Sequence, residues 1–196
     1  MIITGITGGI GSGKTTVAKV WQELGAYVMF ADEVAKNLMV SDEKVRSQLI
    51  DAFGTDVYKP DGSLNREYLA QEAFQKGRVE ELNGIVHPAV YRRGAELIEE
   101  QKAKGTRLFV KEAALLLKNG RPDGFDFIVM CEADEEARVS RVTERDGSQP
   151  EDVKQRMAKQ QNPEELRAHA DIIITNNGNL EELREKAKAV YNQMIS

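Results

Sequence analysis

"GGIGSGKT", residues 8–15, follows the apolar start "MIITGIT" and opens the helical pattern "KTTVAKVWQELG". It fits G-x-x-x-x-G-K followed by Ser or Thr, and each residue type has a mechanical reason. Gly8, Gly9, Gly11 and Gly13 let the backbone take positive φ angles and approach a ligand closely. Successive amides, from the glycines through Ser12 to Thr16, then converge as an anion nest, and the following helix adds its positive end. Lys14 can reach β- and γ-phosphates, and the Thr15 hydroxyl can ligate Mg2+. A strand before and a helix after supply the context the motif requires. The stretch reads as a site for a nucleoside triphosphate with Mg2+.

Working outward, Ile2–Ile6, Ala26–Phe30, Arg107–Val110, Phe127–Cys131 and Asp171–Thr175 read as apolar strands buried on both faces. Helical patterns run between them. "KTTVAKVWQELG" places Val17, Val20, Trp21 and Leu24 on one face and stops at Gly25; "LEELREKAKAVYNQMI" is helical at the C-terminus. Short apolar strands alternating with helices imply parallel strands joined by crossovers. The expectation is a three-layer α/β sandwich around a parallel five-stranded sheet, the P-loop NTPase fold. Residues 33–104 break the rhythm with helical pattern alone, and 134–168 form a smaller helical excursion. The expected division is a nucleotide-binding core of 1–32, 105–133 and 169–196, a helical substrate-binding insertion of 33–104, and a helical lid of 134–168.

The totals restrict the partners. The 196 residues carry a net charge of −5, with 41% hydrophobic and 30% charged residues. That balance argues against a general nucleic-acid or membrane-surface binder, since both need a basic footprint. The single cysteine, Cys131, lies in the apolar run "FIVMC", reads as a buried strand residue, and permits no disulfide within the chain. No basic leader and no long apolar span is visible. The expected location is the cytoplasm, and no obligate protein partner is evident.

Phosphoryl transfer needs a carboxylate near the acceptor, cations around the γ-phosphate, and a lid against water. Asp32 follows the second strand, on the rim where the C-terminal strand ends and the phosphate loop gather. There it can take a proton from an acceptor hydroxyl, or serve as the N-cap of the helix "EVAKNL". Glu112 follows the third strand on the same rim; its plainer reading is a first-turn acid of a helix over "AALLL". Arg138, Arg141 and Arg145 share one face of "EARVSRVTERDG" at spacings of three and four. Beside the phosphates they would be lid cations, with bidentate forks suited to phosphate; elsewhere they would be a solvated face paired with nearby acids. His87–Pro88 marks a turn into a new helix starting near Pro88.

Several stretches together resemble the dephospho-coenzyme A kinase family: "ITGGIGSGKTTVA", "ADEVAK", "VHPAV", "KEAALLL", "RVTERDG", "RMAKQ" and "ADIIITNNG", in that order over nearly the whole chain. The resemblance implies ATP and dephospho-CoA as partners, Mg2+, and γ-phosphoryl transfer to the ribose 3′-hydroxyl. By position it makes Asp32 the general base and Lys14 the γ-phosphate contact, with Arg141 and Arg145 as lid cations and Asn176 near the adenine of ATP. His87 and Glu112 fall on the substrate side. Phe30 stands where the family usually has another acid, Ala114 where it has proline, and Lys118 where it has glutamate. Asp32 is thereby left as the only carboxylate on its turn.

Other classes share the phosphate loop. One is a kinase of the same fold for a nucleotide or small alcohol; the long helical insertion speaks for a larger acceptor only in view of the family resemblance. A guanine-specific switch needs an Asn/Thr-Lys-x-Asp segment after a strand, and "YKPD" supplies neither the residue type nor the strand. A non-catalytic ATP-binding module needs neither the acid at the second strand nor arginines at helical spacing.

Overall fold

A computed structural model describes residues 1–118, 120–160 and 162–196. In chain order the elements are β1 (Ile2–Thr7), α1 (Lys14–Glu23), β2 (Tyr27–Phe30), α2 (Ala31–Ser41), α3 (Glu43–Phe53), α4 (Arg66–Ala70), α5 (Val79–Ala103), β3 (Leu108–Glu112), β4 (Phe127–Glu132), α6 (Glu135–Asp146), α7 (Pro150–Ala158), α8 (Pro163–Arg167), β5 (Ile172–Thr175) and α9 (Leu180–Ile195). The five strands form one parallel sheet in the order β2-β3-β1-β4-β5, with helices on both sides. The register aligns Ile6 with Glu112 on one side and with Val129 on the other. β1 is therefore central, and the loop that leaves its C-terminal end has a strand on each side. This is the fold class the sequence implies.

The chain divides into two compact units, Met1–Met29 with Gln101–Ser196, and Phe30–Glu100. In the first, β1, β3 and β4 read as near-continuous apolar runs because both faces are covered; β5, at the sheet edge, exposes Ile173 and Thr175, contrary to the two-face burial expected of it. Ile6, Leu108, Phe109, Val110, Ile128, Val129, Met130 and Cys131 are all buried. α1 turns Val17, Ala18, Val20 and Trp21 inward. The Trp21 indole N–H finds the Ala187 carbonyl at 2.8 Å, and the Tyr191 hydroxyl bonds the Leu24 carbonyl at 2.8 Å, so α9 is fastened to α1 at two points. Leu24, expected on the helix's apolar face, lies just past the last helical residue and is 40% exposed. Gly25 beside it takes φ +98, and there the helix ends.

The helix expected over "AALLL" does not form; Ala114–Leu117 is a run of turns. Tertiary burial outweighs local propensity at this point. Ala113 N–H continues the sheet to the Ile6 carbonyl at 3.1 Å, and the Thr7 hydroxyl bonds the Ala114 carbonyl at 3.2 Å. Leu117 is then buried with Ile128, Met130 and Leu166, and Leu116 packs against the same group. Leu116 also lies against Gly5 of β1, where a Cβ would overlap its Cδ2.

In the second unit Val45, Leu49, Phe53, Val57, Leu64, Leu69 and Ala89 make the core. The Asp42 carboxylate caps α3 by accepting from Val45 N–H at 3.0 Å. His87–Pro88 does not begin a helix. The 25-residue α5 runs through Pro88, which sits inside it and costs one helical hydrogen bond. The backbone bias before proline is a preference, and here the flanking Val86, Ala89 and Val90 are buried by the helical path. No helix among the described residues is long and apolar enough to cross a membrane.

Candidate active site

The loop from Gly8 to Gly13 joins the end of β1 to the start of α1. Gly8, Gly11 and Gly13 take φ of +147, +77 and +96, and Gly13 stands as the N-cap of α1. No side chain caps that helix, and its first turn holds no acid. Its leading N–H groups and positive dipole end are left to the loop's ligand. Gly9 has no positive φ, contrary to the sequence expectation. A Cβ there would meet the guanidinium of Arg138, the movable end of a long side chain. At Gly8 a Cβ would strike the Cys131 carbonyl oxygen, and at Gly13 the Asn176 side-chain amide.

Ser12 is buried to 1% exposure, and its N–H bonds the Gly9 carbonyl at 3.2 Å. Its hydroxyl oxygen has no hydrogen-bond partner among the described residues. The Asn176 amide donates to the Ser12 carbonyl at 2.9 Å. The residue expected near the adenine thus braces the phosphate loop through its side chain.

At the start of α1 the Lys14 ammonium stands 3.8 Å from Glu112 Oε1, and the Thr15 hydroxyl donates to that oxygen at 3.3 Å. Thr15 is exposed and Thr16 half-buried on the same first turn. Glu112 is the last residue of β3 and is buried. It is therefore no first-turn helix acid; the sheet carries it to the loop. Behind the loop, burial pushes the Cys131 thiol up to about 12, which leaves it protonated and inert at neutral pH.

The arginines of α6 separate. Arg138 donates Nε to the Ile10 carbonyl at 2.9 Å and Nη2 to Gln160 Oε1 at 3.1 Å. Arg141 donates to the Asn176 and Gly178 carbonyls at 2.9 and 3.2 Å. Arg145 turns outward and pairs with Asp146 at 2.7 Å; its side chain is 63% exposed. The solvated-face reading therefore describes Arg145, and Arg156 joins it at Asp146. A cavity of about 900 Å³ opens beside the loop, lined by Gly8, Gly9, Ser12, Arg138, Met157 and Gln160 among others.

Asp32 and His87 belong to the Phe30–Glu100 unit. Asp32 is the second residue of α2, directly after β2, and is exposed. The N-cap of α2 is Phe30, so Asp32 is not the cap; it adds charge to the helix's first turn. His87 is half-buried inside α5. Two participants lacked a sequence signal. Gln160 reads as one polar residue in "RMAKQQ", and the loop's seat on the Cys131 carbonyl involves only backbone.

A parallel sheet whose central strand delivers a Gly-rich loop to an uncapped helix with Lys and Thr in its first turn defines a P-loop kinase-type fold. The family model described as Dephospho-CoA kinase matches residues 2–182. A Dephospho-CoA kinase of Salinibacter ruber is 44% identical over 97% of this chain and 96% of its own. A crystallised Thermus thermophilus protein is 33% identical with a TM-score of 0.79, covering 100% of this chain and 98% of its own. A Dephospho-CoA kinase from Campylobacter jejuni, at 21% identity, shares the fold with a TM-score of 0.67 over 98% and 97% of the two chains. The chain belongs to the dephospho-CoA kinase family.

Proposed function

We propose that this chain transfers the γ-phosphoryl group of ATP to the ribose 3′-hydroxyl of dephospho-CoA, giving coenzyme A and ADP, the last step of coenzyme A biosynthesis. The observation that carries the reading is the phosphate loop: α1 begins without a capping side chain and with Lys14 and Thr15 in its first turn. Relatedness along the whole chain to dephospho-CoA kinases names the acceptor.

In this reading the loop amides bind the β-phosphate and Lys14 spreads the charge of the β- and γ-phosphates. Two hard oxygen donors, Thr15 Oγ1 and Glu112 Oε1, lie 3.3 Å apart at the helix start, a donor set that fits Mg2+. Thr15 would hold the ion, with Glu112 beside it. Bound there, Mg2+ would neutralise charge on the phosphate oxygens. Asp32 accepts the proton of the 3′-hydroxyl as its oxygen bonds to the γ-phosphorus and the bond to the β-phosphate bridging oxygen breaks. Phe30 stands where a second acid would, and Glu33 is the other carboxylate on the first turn of α2. The helical insertion 33–104 receives the acceptor, with His87 among its residues, and the segment 134–168 shields the transfer from water, with Arg141 and Asn176 bracing the loop on the adenine side.

The test is ADP release from Mg-ATP with and without dephospho-CoA, the product followed by mass. ADP that depends on the acceptor, with one phosphate added to it, supports the reading. ADP release indifferent to dephospho-CoA overturns the acceptor and leaves the loop.

A further inference from the structure

Three arginines project from α6, and only Arg138 lines the cavity beside the phosphate loop. Arg145 is matched by Asp146, and Arg141 directs its donors to the carbonyls of the turn after β5. Arg138 is held differently. Gln160 Oε1 accepts from Arg138 and also from Ile10 N–H at 3.0 Å, while the Ile10 carbonyl accepts Arg138 Nε. Both backbone polar groups of Ile10 are thus tied to the same clip. Ile10 also packs against Val139, Val142 and Val153, which fixes α6 and α7 against the loop. The guanidinium lies over Gly9, where an added Cβ would displace it.

Arg138 makes no ion pair within 4.0 Å among the described residues, the charge of Glu135 acting on it from further off. Its hydrogen-bond acceptors, the Ile10 carbonyl and Gln160 Oε1, are neutral. Burial pushes its pKa down from the ordinary value, with the charge of Glu135 opposing. Arginine stays protonated even so. A half-buried cation with neutral partners, next to an anion nest, gains from an anionic ligand. The buried Ser12 hydroxyl without a partner lines the same cavity, a second polar group that a ligand would satisfy.

We propose that Arg138 is the side chain of this region that binds the terminal phosphate of the bound triphosphate, with Gln160 as its positioning residue. The inference rests on the nucleotide reading above and takes that role from Arg141 and Arg145, the lid cations of the family resemblance. Lys14 closes the loop's far end, five positions on from Gly9. A phosphate held by the amides between them is flanked by both cations, and its terminal neighbour extends into the cavity that Arg138 lines.

Calorimetry of the full chain with Mg-ATP and with Mg-ADP tests it. Arg138→Gln keeps a donor for the Ile10 carbonyl and removes the charge. It should weaken ATP binding about 10- to 100-fold, the loss of charged hydrogen bonds, and leave ADP affinity unchanged. Gln160→Leu should give a smaller loss in the same direction. Equal losses for ATP and ADP would overturn the proposal and make Arg138 a brace of the loop, which serves both nucleotides. Unchanged ATP affinity in Arg138→Gln would overturn it outright. Circular dichroism checks that each variant folds, and Arg138→Lys, which retains the charge, stands in if Arg138→Gln does not; it should keep the preference for ATP in part. An ATP-selective loss in a protein that ignores dephospho-CoA would sink the acceptor and leave Arg138 where it is assigned.

Discussion

Lys14 stands between a ligand site and a buried carboxylate, and its removal acts on both. Lys14→Ala deletes a preorganised cation, a loss worth about 10²- to 10³-fold in kcat by analogy with other charge-stabilising groups. It also takes away the charge 3.8 Å from Glu112, so its thermal midpoint should fall as well. Steady-state kinetics and a thermal melt measure the two effects separately. Asp32 predicts the opposite division. It is exposed and caps nothing, so Asp32→Asn should leave the melt nearly unchanged. If it is the base, kcat should fall about 10²- to 10⁴-fold, with KM little altered; an unchanged kcat would remove it from the chemistry. The loop and its lysine were legible because their mechanics are written in eight consecutive residues. The Arg138–Gln160 clip was not, because its bonds to Ile10 span 128 and 150 positions. Nor was the close approach of that guanidinium to Gly9.

Among the elements, the strands were readable to within a residue or two: burial on both faces leaves unbroken apolar runs in β1, β3 and β4, and the edge strand β5 keeps its three isoleucines although Ile173 is exposed. The two errors share a cause. "AALLL" has helical propensity and Pro88 has the opposite, and in both places packing overrode the local preference. Caps give a sharper test of local chemistry. The Asp42 carboxyl is held below its ordinary 3.8 first by the Val45 N–H and further by Arg92, against a burial effect of opposite sign. A carboxyl depressed in the folded state contributes stability that is full above its ordinary value and is lost as pH falls from there through the lower folded-state value. Asp42→Ala should therefore cost about 1 kcal/mol at neutral pH, the usual worth of an N-cap. The difference from the parent should shrink as pH falls below about 4. Chemical denaturation at several pH values measures it, and a difference independent of pH would show that the charge of Asp42 is not what caps α3. On the other unit, Trp21→Phe leaves the buried Ala187 carbonyl without its indole donor. The expected loss is about 1–3 kcal/mol, read from the same kind of titration.

At the scale of the whole molecule, the division at Phe30 and Glu100 turns the proposed reaction into a statement about where each substrate is felt. The contacts described for the phosphate loop, from Glu112, Arg138, Gln160 and Asn176, are all made within the sheet-containing unit. Anything that binds the native state stabilises it by mass action, about 2.7 kcal/mol at a hundred times Kd, and the protection is greatest in the segments that must open to release the ligand. ATP should therefore slow amide exchange in residues 8–16 and in the β5–α9 turn that Asn176 ties to Ser12. Dephospho-CoA, if the helical insertion receives it, should slow exchange within Phe30–Glu100. Hydrogen exchange read by mass spectrometry resolves the two patterns, and Lys14→Ala separates them further: it should remove the ATP protection and keep that of dephospho-CoA. Protection by dephospho-CoA confined to the loop, with Phe30–Glu100 unaffected, would leave the helical unit without its proposed ligand. That outcome would return the acceptor to the cavity beside Arg138, where a substrate and the terminal phosphate would have to share one wall.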